Sequence, residues 1–261
     1  MNNSTKILLI IALLSVVGCG GTIAYAMLAA PAQDKPASHA HGPVKKTEPN
    51  KASLDNFFSA WKQGDKEQAN KQMTALLKLT PNDPNLKLIN ADFQRFYTGK
   101  PDSSIAILRE MVSFHTDDPK PYAALARHLA ELGEHGDRAA LQEAQGFIAT
   151  AIKMTQERGE EVPVSDWETQ AWVSGMSGNI DEALDLYATR VFQHPAYTVD
   201  NPAYMLHYAA LLEQGGHLAE AAEAYQDIRD LMVTQLDEQG SADLEWAQSN
   251  ARSALERLTN Q

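Results

Sequence analysis

The sequence predicts an all-α protein in which about five helix pairs stack into a right-handed superhelical α-solenoid, closed by a C-terminal capping helix and preceded by a transmembrane or signal helix. A motif centred on glycine recurs along the chain, which is typical of a solenoid. The chain is also rich in Ala, Leu, Glu and Gln, and it has no central Val/Ile-rich run of the kind that a buried parallel sheet needs. An uncharged stretch at residues 7–30 predicts the N-terminal helix.

The N-terminal stretch has 24 residues without a charge, which is long enough to span a bilayer as a helix. Three interpretations stay open: an uncleaved anchor, a lipoprotein signal, and a signal peptide cut after Ala24-Tyr25-Ala26. The lipoprotein signal rests on VVGC at 16–19, which resembles a lipobox and ends at Cys19, the only cysteine. The apolar run continues past Cys19, which favours the anchor. We therefore expect a single-pass protein of a bacterial inner membrane with a periplasmic repeat domain, and a lipoprotein as the alternative.

The composition changes after the apolar stretch. Residues 31–50 read PAQDKPASHAHGPVKKTEPN, with four prolines and almost nothing apolar, so we expect a disordered Pro-rich tether. The predicted organisation is an anchor or signal segment at 1–30, the tether at 31–50, a repeat domain at 51–232 and a capping helix at 233–261.

The repeat is seen by aligning glycines. Gly64 and Gly178 are each followed by a small residue at offset 5, a large residue at offset 9 and a proline at offset 17. Gly216 and Gly99 share the first two offsets, and a fifth copy has Gly133, with its second helix starting about six residues late. The Gly-to-Gly spacings are 35, 34, 45 and 38 residues. Such a period indicates one structural unit per copy.

Each unit is expected to be a helix, a tight turn at glycine, a second helix and a proline-containing loop. Apolar residues before each glycine recur at spacings of 3 and 4, as on one face of a helix. Glycine ends the first helix because a left-handed C-cap residue is least strained without a Cβ. After the fifth unit, Ser241 is expected to cap a last helix whose apolar stripe covers the end of the array.

This pattern resembles the tetratricopeptide repeat (TPR), which has a period of 34 residues and the same order of small and large positions. Trp167 falls on the first Trp position of the fourth unit, and five copies in register cover residues 52–232. The resemblance implies a binding scaffold whose first helices line a concave groove.

The sequence shows no catalytic constellation. Neither a zincin motif, a nucleophile elbow nor a Gly-rich phosphate loop is present. His128 and His135 are the nearest approach to a metal pair, but Gly133 between them is expected to end the helix. A net charge of −12 argues against nucleic-acid binding. We expect no enzyme activity, no cofactor, no metal and no nucleic-acid partner.

The resemblance also places residues in the groove, because certain positions of each first helix usually face it. The residues at these positions predict a partly apolar surface that binds an amphipathic helix or an apolar peptide. The positions hold Phe58, Trp61, Phe93, Arg127, Trp172, Met176 and Leu206. Trp172→Ala is accordingly expected to weaken partner binding and to leave stability almost unchanged.

A narrower resemblance concerns the order of segments. A membrane helix, a tether and a TPR domain, with PYAALARHLAELG, FIATAIKM and GNIDEALDLY in sequence, are similar to the membrane-anchored subunits of cytochrome c biogenesis of the haem-lyase accessory type. This implies presentation of an apocytochrome c tail, held as a helix, to the haem-attachment machinery. The alternative is a TPR lipoprotein, anchored through Cys19, that acts in pilus or envelope assembly.

Overall fold

The computed structural model describes residues 52–114, 117–197, 202–231 and 238–259. These residues form helices joined by turns and short loops, without a strand in the described ranges. The predicted N-terminal helix lies outside them, as does Cys19. No helix of the described ranges combines the length and the apolar character that a membrane span requires.

The helices follow one another as antiparallel pairs, and each pair packs on the next. Short π-helical turns, Phe93–Tyr97 and Tyr187–Val191, extend α3 and α8. The helices are α1 Leu54–Lys62 and α2 Lys66–Leu79; α3 Pro84–Asp92 and α4 Pro101–Phe114; α5 Pro119–Glu134 and α6 Arg138–Glu157; α7 Val164–Met176 and α8 Ile180–Leu186; α9 Pro202–Gln214 and α10 Leu218–Asp230; and α11 Glu238–Thr259.

A glycine with positive φ lies two residues before the second helix of every pair. This confirms the predicted turn at Gly64, Gly99, Gly178 and Gly216. In the third pair the prediction was wrong by three residues: Gly133 lies inside α5, and Gly136, with φ of 96°, makes the turn. The second helix of that pair starts at Arg138, two residues after the turn glycine, as in the other pairs. Its 20 residues account for the longer unit.

The small and large positions of the repeat form the core, as their spacing predicts. In the four pairs other than the third, the side chains at offset 5 from the turn glycine are completely buried, and those at offset 9 are at most 3% exposed. These residues are Ala69, Ser104, Ala183 and Ala221 at offset 5, and Met73, Leu108, Tyr187 and Tyr225 at offset 9. The small residues let the two helices of a pair approach, and the large ones fill the space towards the next pair.

The last helix packs on both α9 and α10. Its buried stripe contains Ala247, Ala251 and Ala254, as expected for a helix that closes the array. Its start differs from the prediction, because the helix begins at Glu238 and Ser241 lies within its first turn. Trp246 of the same helix is 52% exposed.

From the third pair to the fifth, the first helices also pack on one another. Helix α7 contacts both α5 and α9, whereas no comparable packing joins the second helices α6, α8 and α10 in the described residues. The side of the molecule formed by α5, α7 and α9 is therefore a continuous helical surface.

Candidate functional site

The seven residues expected in the groove differ in exposure. Phe93 is completely buried, and Arg127 and Trp172 are each 4% exposed. The other four are partly exposed: Phe58, Trp61, Met176 and Leu206. The buried three offer a partner almost no surface. Contact of any of the seven with a partner stays a prediction, and Cys19 is outside the described residues.

Phe58 and Trp61 belong to an aromatic cluster at the N-terminal end of the array. Their rings stack at 6.1 Å between centroids with an interplanar angle of 17°. Phe57 and Phe93 meet Trp61 edge to face, with centroids 5.2 and 5.6 Å away. The cluster packs α1 on the π turn after α3, and only its Phe58 and Trp61 side is open to solvent.

Towards the middle of the array the first helices carry ionisable side chains. We call this surface the first-helix face and define it by Arg95, Glu131, Glu134, Glu168, Trp172 and His207. It begins at an ion pair in which Arg95 Nε donates to Glu131 Oε2 over 2.5 Å, joining the π turn after α3 to α5. Both side chains are mostly buried, at 14% and 15% exposure. The pair holds the second and third helix pairs together on this side.

His207 of α9 is the centre of the face. Its Nδ1 lies 2.7 Å from Glu168 Oε1, and the same oxygen accepts a hydrogen bond of 3.1 Å from the Tyr187 hydroxyl. The imidazole stacks on the indole of Trp172, with centroids 4.5 Å apart and an interplanar angle of 7°. Glu168 is 2% exposed, whereas the His207 side chain keeps 14% of its surface. The buried carboxylate is thus balanced by a histidine that solvent can still reach.

The surroundings set the protonation of His207. Its burial by itself lowers the pKa, but the hydrogen bond to Glu168, the charge of that carboxylate and the charges of Glu134 and Glu131 outweigh it, so the pKa of His207 is raised from 6.5. The pKa of the Glu134 carboxyl, which stays exposed, is also raised, first by partial desolvation and then by the charges of Glu131 and Glu168, although His207 and His135 oppose this. Protons are therefore bound more tightly on this face than in free side chains.

A second polar pair lies beneath the face. Burial raises the pKa of Asp166 from 3.8 to about 6, although the charge of Arg127 and the hydroxyl of Ser165 both favour the carboxylate. Ser165 Oγ donates to Asp166 Oδ1 over 3.2 Å. Arg127 was expected to meet a partner, but its electrostatic contact with Asp166 gives it a place between α5 and α7.

A separate cluster has the residue types of a hydrolase triad. His128 Nδ1 lies 2.5 Å from Ser104 Oγ, and its Nε2 lies 3.0 Å from Asp92 Oδ1. Ser104 and His128 are completely buried, and Asp92 is 5% exposed. A nucleophile must be open to its substrate, and no substrate can reach this serine in the folded chain. The cluster ties α3, α4 and α5 together.

Sequence reasoning missed both clusters, because their members are 19 to 39 residues apart in the chain. A weak signal exists in α5, where Arg127, Glu131 and Glu134 recur at helical spacing on one side. His194 has a structural role in the loop after the fourth pair: Nε2 lies 2.9 Å from Val162 O, and Nδ1 accepts from the Ala196 amide at 3.1 Å. Within the described ranges, no three His, Cys, Asp or Glu side chains gather as a metal site.

Among solved structures, a thermophilic TPR protein of Thermus thermophilus is similar to this chain, with a TM-score of 0.59 and 19% identity over 78% of this chain and 97% of that one. A Podospora anserina kinesin light chain with nearly identical TPR-like repeats is 17% identical over 74% of this chain and 94% of that one. Its TM-score of 0.47 is too low to support a conclusion. No family model matches the sequence. No curated protein matches it either. The first likeness establishes the fold alone.

Proposed function

We propose that this chain, which has the tetratricopeptide-repeat fold, is a scaffold that binds a protein or peptide partner on the first-helix face. The packing of α7 on α5 and α9, without comparable packing between second helices in the described chain, supports this most directly. Where first helices approach one another more closely than second helices, the array bends towards them, and the first-helix side becomes the inside of the curve. The right-handed superhelix that we expect from the sequence would also have its first helices on the inside of the curve.

The partner is proposed from the side chains that the face leaves open. On the face, Glu134 is exposed, and Glu131 and His207 keep some surface. The same first helices α7 and α9 carry Met176 and Leu206, two partly exposed apolar residues. This face is more charged than the apolar groove expected from the sequence. A peptide that presents apolar side chains on one side and a basic side chain near Glu134 fits both features, and an amphipathic helix provides them at spacings of 3, 4 and 7.

Charge reversal tests the location of the partner. The full chain would be purified from detergent-solubilised membranes in its native form and with Glu134→Lys, and the proteins that copurify would be compared. We expect Glu134→Lys to lose a partner that the native chain retains. Glu223→Lys is the matched control, because Glu223 is also exposed but lies on the second helix α10. Loss of the partner with Glu223→Lys and not with Glu134→Lys would contradict the proposal.

We further propose that residues 7–30 anchor the chain in a bacterial inner membrane, with the repeat domain in the periplasm. The uncharged length of this segment and the Pro-rich tether support the anchor. The similarity in segment order to cytochrome c biogenesis subunits makes an apocytochrome c tail the first partner to test. Anchoring through Cys19, with a role in pilus or envelope assembly, is the second candidate, favoured by VVGC at 16–19.

Intact mass spectrometry of the mature protein separates the two candidates. A mass that includes Met1 or otherwise shows an uncut segment supports the anchor and eliminates the lipoprotein. A chain that begins at Cys19 and carries a diacylglycerol adduct supports the lipoprotein and eliminates the anchor. Cleavage after Ala26 would contradict both.

A further inference from the structure

Three large apolar side chains are exposed along one edge of the array. Leu79 is 70% exposed, Phe114 is 75% exposed and Leu54 is 39% exposed. Leu79 and Phe114 are the last residues of α2 and α4, and Leu54 is the first residue of α1. Because the helices of a pair are antiparallel, first helices begin where second helices end, and the three residues share that edge. We call it the tether edge and define it by these three residues.

The repeat places Leu79 and Phe114 in the same register. Each lies 15 residues after the positive-φ glycine of its unit, Gly64 or Gly99, so the two side chains leave their helices in similar directions. The same position of the fourth unit holds an exposed polar residue, Gln193. The third unit has the buried Ala151 at this position, and the fifth has Leu231, which is only partly exposed. Large side chains that are exposed in this register therefore occur in the first two units.

The tether edge is also where the chain enters the repeat domain. Residue 52 is the first described residue, and α1 begins two residues later. Between this point and the uncharged stretch 7–30 lies the 20-residue tether. Extended at ~3.1 Å per residue, as Pro-rich linkers are, a tether of that length reaches at most about 60 Å. An anchor in the bilayer would keep the tether edge close to the lipid surface, so even a weak contact would be populated.

The net charge differs between the first part of the chain and the rest. Residues 1–80 contain nine Lys or Arg and five Asp or Glu, a net charge of +4, and the remaining residues contain 13 and 29, a net charge of −16. An anionic lipid surface attracts the first part and repels the second. The first two helix pairs, residues 52–114, contain eight Lys or Arg and seven Asp or Glu, a net charge of +1, so most of the positive charge lies before them. An anionic surface therefore attracts the segment that leads into the first helix pair and repels the acidic later units far more than the first two pairs.

We propose that the tether edge docks on the surface of an anionic bilayer, with Leu54, Leu79 and Phe114 inserted among the lipid headgroups. The inference rests on the proposed anchoring by residues 7–30. Docking orients the array so that its acidic later units, with the middle of the first-helix face, point away from the membrane. A partner would then meet the face from the aqueous side.

The test uses the full chain with Cys19→Ser and a single new cysteine, Ser113→Cys, labelled with the fluorophore NBD beside Phe114. The chain is reconstituted into vesicles of phosphatidylcholine alone or with added phosphatidylglycerol, and the bound fraction is measured by sedimentation. We expect the NBD emission to shift to shorter wavelength when phosphatidylglycerol is added. Leu79→Gln with Phe114→Gln should abolish the shift, and because both side chains are exposed, the circular dichroism spectrum should not change.

The matched control carries the label at Gln193→Cys, at the offset of Leu79 and Phe114, and its emission should not depend on the lipid. If the chain sediments with both kinds of vesicle but the emission at position 113 does not shift, the docking proposal is overturned and the anchor stands. If the chain stays in the supernatant with both, the anchor proposal fails, and the docking proposal that rests on it fails with it.

Discussion

Two histidines of first helices are buried in opposite ways. His128 of α5 is completely enclosed between Ser104 and Asp92, one hydrogen-bond partner on each ring nitrogen. His207 of α9 has one partner of this kind, Glu168, while its ring lies on Trp172 and part of its surface meets solvent. The two differ in access, not in residue type.

The difference separates structure from function in this fold. A closed cluster such as that of His128 exchanges nothing with solvent or with a partner, so its contribution is to stability. The His207 cluster is set among three carboxylates, of which Glu134 is exposed, and it belongs to the face that we propose for the partner. The same repeat therefore provides a rigid joint between α3, α4 and α5 and a responsive surface between α5, α7 and α9.

The largest expected effect is at the closed joint. His128→Ala leaves the Asp92 and Ser104 side chains buried without their partner, and because each orphaned group costs about 2 kcal/mol, the expected loss is about 4 kcal/mol. Urea denaturation followed by circular dichroism measures the change. His135→Ala is the control, because His135 is exposed at the end of the same helix, and a loss as large as that of His128→Ala would refute the distinction.

The next largest effect is at Trp172. The structure contradicts the expectation that Trp172→Ala leaves stability unchanged, because the indole is 4% exposed and covered by His207. Removing a buried indole costs about 3 kcal/mol, which the same denaturation experiment detects. A change in the free energy of unfolding below about 0.5 kcal/mol, typical of surface residues, would show that Trp172 is an exposed groove residue and not part of the core.

A smaller effect is expected from Tyr187→Phe. The substitution keeps the ring, which is completely buried, and removes one of the two groups that hydrogen-bond to Glu168 Oε1. The loss of one such bond to a carboxylate costs about 2 kcal/mol. Tyr208→Phe is a suitable control, since it removes a hydroxyl from a partly buried ring that packs against Tyr187.

The smallest and most specific effect is on pH dependence. The pKa of His207 is raised above 6.5 in the folded chain, so its stabilising contribution is complete below pH 6.5 and is lost as pH rises through the folded pKa. His207→Gln should flatten the stability profile in that window. Asp166 also makes the stability fall as pH rises, but only between its unfolded pKa of 3.8 and its folded pKa of about 6. An unchanged profile above pH 6.5 in His207→Gln would show that the proton does not reside on this ring.

The sequence was sufficient for the architecture and insufficient for the site. Offsets from glycine predicted the pairs and the buried positions, because packing between helices repeats with the chain. The third turn was misplaced since Gly133 and Gly136 are both glycines and only backbone φ distinguishes them. The clusters of His128 and His207 depend on contacts between different units, and periodicity within one unit carries no information about which polar residues meet across the array.

The most direct test of the central claim, that the partner lies on the first-helix face, is site-specific photocrosslinking in living cells. Benzoylphenylalanine at position 134, which is exposed at the end of α5, is compared with the same amino acid at position 142, which is exposed on the second helix α6 of the same pair. We predict a defined crosslinked product from position 134 and none from position 142. A product from position 142 alone would show that the partner binds the opposite side.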